Sequence, residues 1–219
     1  ILSHPTYLRT ITAEDVPGLK GLYLFEVYNG AWDKEWQGNA KHPGPEELWD
    51  VWLSAGCALY GLAGDDAHRY HEGREIQTPG RGWVMVKASE RSAEAIQNAL
   101  LRGHFYSSSG VLLSEVEVDA EAYTVTVDEA ATLREIEAGR LEPHPIPAAQ
   151  PGFEIEFIGL NGAVLAAHRS TEASFALAEE DAYVRCRVTY RWRVGEQWFR
   201  CHAWGQPVFL DERPRPPRR

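Results

Sequence analysis

Residues 183–194, YVRCRVTYRWRV, alternate apolar and polar side chains without a break from Val184 to Val194. A period of two belongs to a β-strand with one face packed and the other polar. QWFRCHAW follows at 197–204, after a turn segment containing Gly195. The two runs read as neighbouring strands of an antiparallel sheet. The same pattern recurs in SEVEVDA (114–120), AYTVTVD (122–128), FEIEFIG (153–159) and AVLAAHR (163–169), and GLNGAV at 159–164 is a strong turn signal. Short alternating strands in succession predict a β-sandwich over 111–210. Residues 128–152 read as an excursion from it, an acidic helix-like piece (129–138) followed by the proline-rich PHPIPAAQPG. No internal repeat is present.

The first 110 residues have a different rhythm. LYLFEVY (22–28) is a buried strand ended by Asn29-Gly30. Pro45 opens a helix with Leu48, Val51, Trp52 and Ala55 on one face, and Gly56 stops it. ALYGLA (58–63) and GWVMVKA (82–88) are further strands. Ser89 or Ser92 caps a second helix whose apolar face holds Ile96, Ala99 and Leu100, and a strand resumes at His104. Such alternation predicts an α/β class with parallel strands, right-handed crossovers and helices outside, as part of a barrel or a doubly wound sheet.

Net charge is -10, which argues against nucleic acid as a main ligand. The basic residues of the tail (211–219) read as solvated. Three cysteines without metal-type spacing point to a reducing, cytoplasmic setting, although Cys186 and Cys201 are candidates to face each other across a hairpin. No apolar run is long enough for a membrane span. The single methionine is Met85 and the chain begins at Ile1 in mid-pattern, so further protein is expected upstream.

The chemistry concentrates in GDDAH at 64–68. Asp66 and His68 stand two positions apart, so on an extended segment their side chains point the same way. At the carboxyl end of a parallel strand, where α/β proteins bind ligands, such a pair suits Zn²⁺, Mn²⁺ or Fe²⁺. A capped surface turn is the plainer alternative. His4, before Pro5, is biased to extended geometry and is a further candidate. Glu26 and Asn29 lie near a strand end that should open on the same mouth. Glu26 there either pairs with a cation, supports a ligand or caps a loop.

SHP (3–5), GLYLFEVYNG (21–30), WDVWLSAGCALYGLAGDDAH (49–68), GRGWVMVKA (80–88), EAIQNALLRGHFYSSSG (94–110), YVRCRV (183–188) and AWGQPVFL (203–210) together resemble the C-terminal part of PHP-domain metal-dependent hydrolases, nearest the CehA/McbA type. The resemblance covers nearly the whole chain, least clearly 119–182. It implies a fold in which residues 1–110 are the C-terminal portion of a distorted (β/α)7 barrel, with the sandwich behind it. It also implies a cluster of two or three divalent ions, with His4, Asp66 and His68 as ligands and catalytic groups and Glu26 and Asp65 behind them. The family's His-x-His and middle ligands are missing, so an upstream segment or second chain is expected to complete the barrel.

The implied activity is hydrolysis of a small-molecule substrate, a phosphoester first and a carbamate or ester second, by metal-activated hydroxide. Asn29, Arg69, Tyr70 and Arg81 are candidate substrate contacts, the arginines because their forks match phosphate oxygens. Pairing of those arginines with surface acids is the alternative, and His71 and Glu72 have no assigned role. A different class of function also fits: a catalytically silent binding or scaffold protein. In that case Trp192, Trp198 and Trp204 of the sandwich would be candidates for stacking on sugar rings rather than core residues.

Overall fold

The computed structural model describes every residue except 32–37, 40, 69, 71–77, 140, 142–143, 179 and 214–219. In chain order the elements are β1 (Leu24–Asn29), α1 (Pro45–Ser54), β2 (Tyr60–Gly64), β3 (Trp83–Val86), α2 (Ala93–Leu101), β4 (Phe105–Ser108), β5 (Leu113–Val118), β6 (Ala122–Val127), α3 (Glu129–Glu137), β7 (His144–Ile146), β8 (Gly152–Ile158), β9 (Val164–His168), β10 (Glu172–Ala176), β11 (Tyr183–Val194) and β12 (Gln197–Phe209).

The expected α/β barrel portion is not what these residues build. Strands take 40% of the described residues and helices 18%, and the sheets are mainly antiparallel. One sheet orders its strands β3-β4-β12-β11-β8-β9 with β7 also on β12, and a second orders β10-β6-β5. The parallel named pair among the described residues is β1–β2, joined through α1, with Leu2 adding a parallel bridge to Phe25. The β3-α2-β4 unit, which alternation alone reads as a second parallel crossover, is an antiparallel pair: Val86 lies opposite Phe105 and Trp83 opposite Ser108. Alternation of element types does not fix strand direction; here β4 is claimed on its other side by β12, also antiparallel.

The edge of β2 that a barrel would extend is closed by side chains instead. The Ser107 hydroxyl of β4 donates to the Gly61 carbonyl (2.7 Å) and accepts from the Ala63 N–H (3.0 Å). The Gln206 amide of β12 accepts from Gly61 N–H (2.8 Å) and donates to Gly61 carbonyl (2.9 Å). Backbone polar groups out of water need partners, and these four bonds supply what another strand would have supplied. Gln206→Leu leaves the buried Gly61 N–H without its acceptor. We expect it to lower unfolding free energy by about 1–3 kcal/mol, read by urea denaturation.

Helix α1 begins with Pro45 at its first position, and the Glu47 carboxylate accepts from Gly44 N–H (2.8 Å), the half of a capping box that a glycine N-cap allows. Its buried face is Leu48, Trp49, Trp52 and Leu53, rotated from the expected one; Val51 is exposed. Both indoles explain the rotation, because each finds a carbonyl inside: Trp49 donates to Leu59 (3.0 Å) and Trp52 to Ala13 (3.1 Å). Phe25 of β1 lies against both rings.

The first core joins these residues to Tyr183, Trp204 and Phe209 of the large sheet. The second lies between the two antiparallel sheets, with Tyr123 and Val125 of β6 against Phe153, Ile155 and Phe157 of β8 and Val184, Cys186 and Val188 of β11. Packing therefore runs continuously across position 110. Cys186 faces Gly205 and Cys201 faces Tyr190, so the two cysteines are not opposite one another, and all three are free thiols. Among the described residues no helix is long and apolar enough to cross a membrane.

Candidate functional site

Leu2, β1 and β2 run parallel, so His4, Glu26, Asn29, Asp65 and Asp66 collect at or near their carboxyl ends. Glu26 is the hub. Its Oε2 accepts from the His4 backbone N–H (2.7 Å) and from the Asn29 amide (3.1 Å). Burial pushes the Glu26 carboxyl upward, the two hydrogen bonds pull it down, and the nearby Asp66 carboxylate raises it again; the His4 imidazole opposes. Asp66 and His4 thus each lie close enough to act on the Glu26 carboxyl.

Two backbone positions here are unusual. His4 has φ +33° and Asp66 φ +46°, a region that costs a non-glycine residue energy. The conformation at Asp66 turns the chain so that the His68 Nδ1 reaches the Asp66 carbonyl at 2.6 Å, and the Asp66 carboxylate at 3.9 Å. A carbonyl only accepts, so Nδ1 carries a proton, and in the neutral ring Nε2 is the nitrogen with the lone pair. Metal-binding histidines are commonly oriented by this kind of bond. His68 is solvent-exposed, with a side-chain exposure of 62%.

Asp65 points elsewhere. Its Oδ2 accepts from Gly80 N–H (2.8 Å) and pins the return of the following loop. Gly30 permits this crowding, since a Cβ there would lie 2.8 Å from the Arg81 Cβ and 3.0 Å from the Asp65 Cα. Arg81 is buried, and its Nε–H donates to Thr78 Oγ1 (3.2 Å). Burial depresses its guanidinium, with Tyr28 and Asp65 opposing, and burial pushes the Tyr28 phenol up to about 12. Asn29 has both ends of its amide engaged, the second by Ala31 N–H (2.8 Å). Tyr70 is exposed and its hydroxyl donates to the Ala67 carbonyl (2.8 Å). Arg69, His71 and Glu72 lie outside the described residues.

The donor chemistry suits a borderline divalent ion, but the number of donors falls short. Among the described residues no three His, Cys, Asp or Glu side chains surround a common point. Asp66 and His68 are the two expected donors that lie beside one another, with the carboxylate 3.9 Å from Nδ1.

A second constellation escaped the sequence reading. The odd positions of β11 place Arg185, Arg187 and Arg191 on the face away from the sandwich core. Arg185, 1% exposed, donates twice to Asp50 (2.7 Å each) and once to Glu46 (3.0 Å). Arg187 reaches Glu46 (3.0 Å) and Glu156 (2.8 Å). The alternation in YVRCRV carried this signal; what it lacked was the position of α1, whose Glu46 and Asp50 meet those arginines. Trp204 is buried core, its indole N–H donating to Glu46 (3.2 Å), whereas Trp192 and Trp198 are half-buried.

Comparison with protein-family models, with curated proteins and with solved structures finds no match to this chain. Fold and site together define a two-sheet antiparallel β protein with a parallel β-α-β flank that carries an Asp-x-His turn.

Proposed function

We propose that the protein is a metal-dependent hydrolase acting on a small-molecule phosphoester, set in the cytoplasm, where free thiols persist. The observation that carries this reading is the Asp66–His68 turn beside Glu26 and His4 at the ends of parallel strands. Asp66 and His68 would hold a divalent ion, and that ion would lower the pKa of a bound water and polarise the scissile bond. The protein's own work is positional. The Asp66 carbonyl fixes the His68 tautomer, and Glu26 fixes the backbone at His4. Ligands beyond this pair come, on this reading, from an upstream segment or a second chain.

The shortfall of donors favours a second reading, a binding or scaffold protein whose working part is the sandwich. Metal analysis of the complete gene product separates them. The hydrolase reading predicts more than one bound divalent ion, and hydrolysis of p-nitrophenyl phosphate that stops with chelator and returns with Mn²⁺ or Zn²⁺. Metal-free protein that stays inactive with either ion supports the scaffold.

A further inference from the structure

On the outer face of β11 and β12, Arg187, Arg191, Arg200 and His202 stand together. Arg191 lies directly opposite Arg200 in the hairpin register, and Thr189 opposite His202. Like charges across an antiparallel pair repel. Arg191 is relieved by Glu154 (2.7 Å), and Arg187 by Glu156 and Glu46. Among the described residues none accepts a hydrogen bond or forms an ion pair with the Arg200 guanidinium.

Arg187, Arg200 and His202 line a cavity of about 350 Å³ between this face and the first turn of α1. The acids that face it are already engaged. Glu46 accepts from Arg185, Arg187 and Trp204, Asp50 from Arg185, and Glu47 from Gly44 N–H. Ser109, also in the wall, accepts from His202 N–H (3.0 Å) and retains its own hydroxyl proton to donate. The His202 ring is kept neutral by burial and by the arginines around it, with Nδ1 3.0 Å from the Thr189 hydroxyl.

We propose that this cavity binds a small oxyanion, a phosphate or a carboxylate, on the guanidinium fork of Arg200. A planar guanidinium with its donors uncommitted matches such an anion bidentately. A bound anion also offsets the repulsion that Arg187 and Arg191 exert on Arg200, an exposed residue, against which Glu46 is the opposing charge. Neither Asp66 nor His68 lines this cavity, and the proposal does not rest on the hydrolase reading.

Calorimetric titration of the full chain with inorganic phosphate, and separately with benzoate, tests it. Saturable binding of either probe at one site per chain, weakening as salt rises, is expected; which probe binds identifies the anion. Arg200→Ala should weaken binding at least about tenfold, with Arg200→Lys between the two, because a lysine keeps the charge and loses the fork. Arg193→Ala, outside the cavity lining, should bind as the parent does. Thermal denaturation of each variant reports that the fold is retained, as expected for a side chain with no bonds to lose. No saturable binding of either probe, or equal losses in the Arg200 and Arg193 variants, overturns the proposal.

Discussion

Replacing Arg185 by methionine is expected to lower the unfolding free energy by about 3 kcal/mol, because it strands the half-buried Asp50 carboxylate and takes from Glu46 one of its two arginines. Arg185 ties β11 to α1 through Asp50 and Glu46, and its guanidinium lies 5.0 Å from the centre of the Trp49 ring. The helix is held to the sandwich at its other end as well, where Asn161 N–H donates to Ser54 Oγ (2.7 Å). Adding Glu46→Gln and Asp50→Asn to the Arg185→Met variant should recover a large part of the loss. If it recovers none, lost packing on Trp49 and not stranded charge is the cause. Urea denaturation followed by tryptophan fluorescence reads both.

Within this network Glu46 sets an acid limit, while Asp50, which burial pushes upward, works against it. Burial pushes the Glu46 carboxyl up, but Arg185, then Arg187, overcome it and hold it at about 2, against an ordinary 4.5. A carboxylate depressed in the fold contributes stability above its unfolded pKa and loses it as pH falls through the folded one. The parent protein should therefore lose stability progressively from about pH 4.5 toward pH 2, and Arg185→Met should flatten that part of the curve.

The second large effect is on function. If the hydrolase proposal holds, Asp66→Asn reduces metal-dependent hydrolysis at least about a hundredfold, while unfolding free energy changes by no more than about 0.5 kcal/mol. Asparagine is the substitution of choice because it tolerates the φ of +46° at this position, where alanine would add backbone strain of its own. His68→Ala should behave likewise, since the ring is exposed and its loss removes little packing. A large loss of stability in Asp66→Asn, with activity falling only in step with it, would mean that the turn is structural.

The sandwich was legible because its strands alternate cleanly. β6 and most of β8 bury every second residue, and a period of two can be read without knowing the neighbours. The direction of β3 and β4 was not legible. A helix between two strands fits a parallel crossover as well as an antiparallel return, and what decided was β12, nearly one hundred residues later. The proximity of Glu26 and Asp66 followed from the parallel pairing of β1 and β2, which the sequence did indicate. The commitment of Asn29 to its own turn and of Asp65 to Gly80 did not, because single polar residues in loops say nothing about which backbone group they will meet. Arg185 and Arg187 looked like the polar face of a strand; only the placement of α1 turned that face into a buried network.

Anomalous diffraction from crystals of the complete gene product equilibrated with Mn²⁺ or Zn²⁺ bears most directly on the central claim. The account predicts a peak within bonding distance of both the Asp66 carboxylate and the His68 Nε2, absent in Asp66→Asn. A peak at some other place, or none at saturating metal, would contradict it.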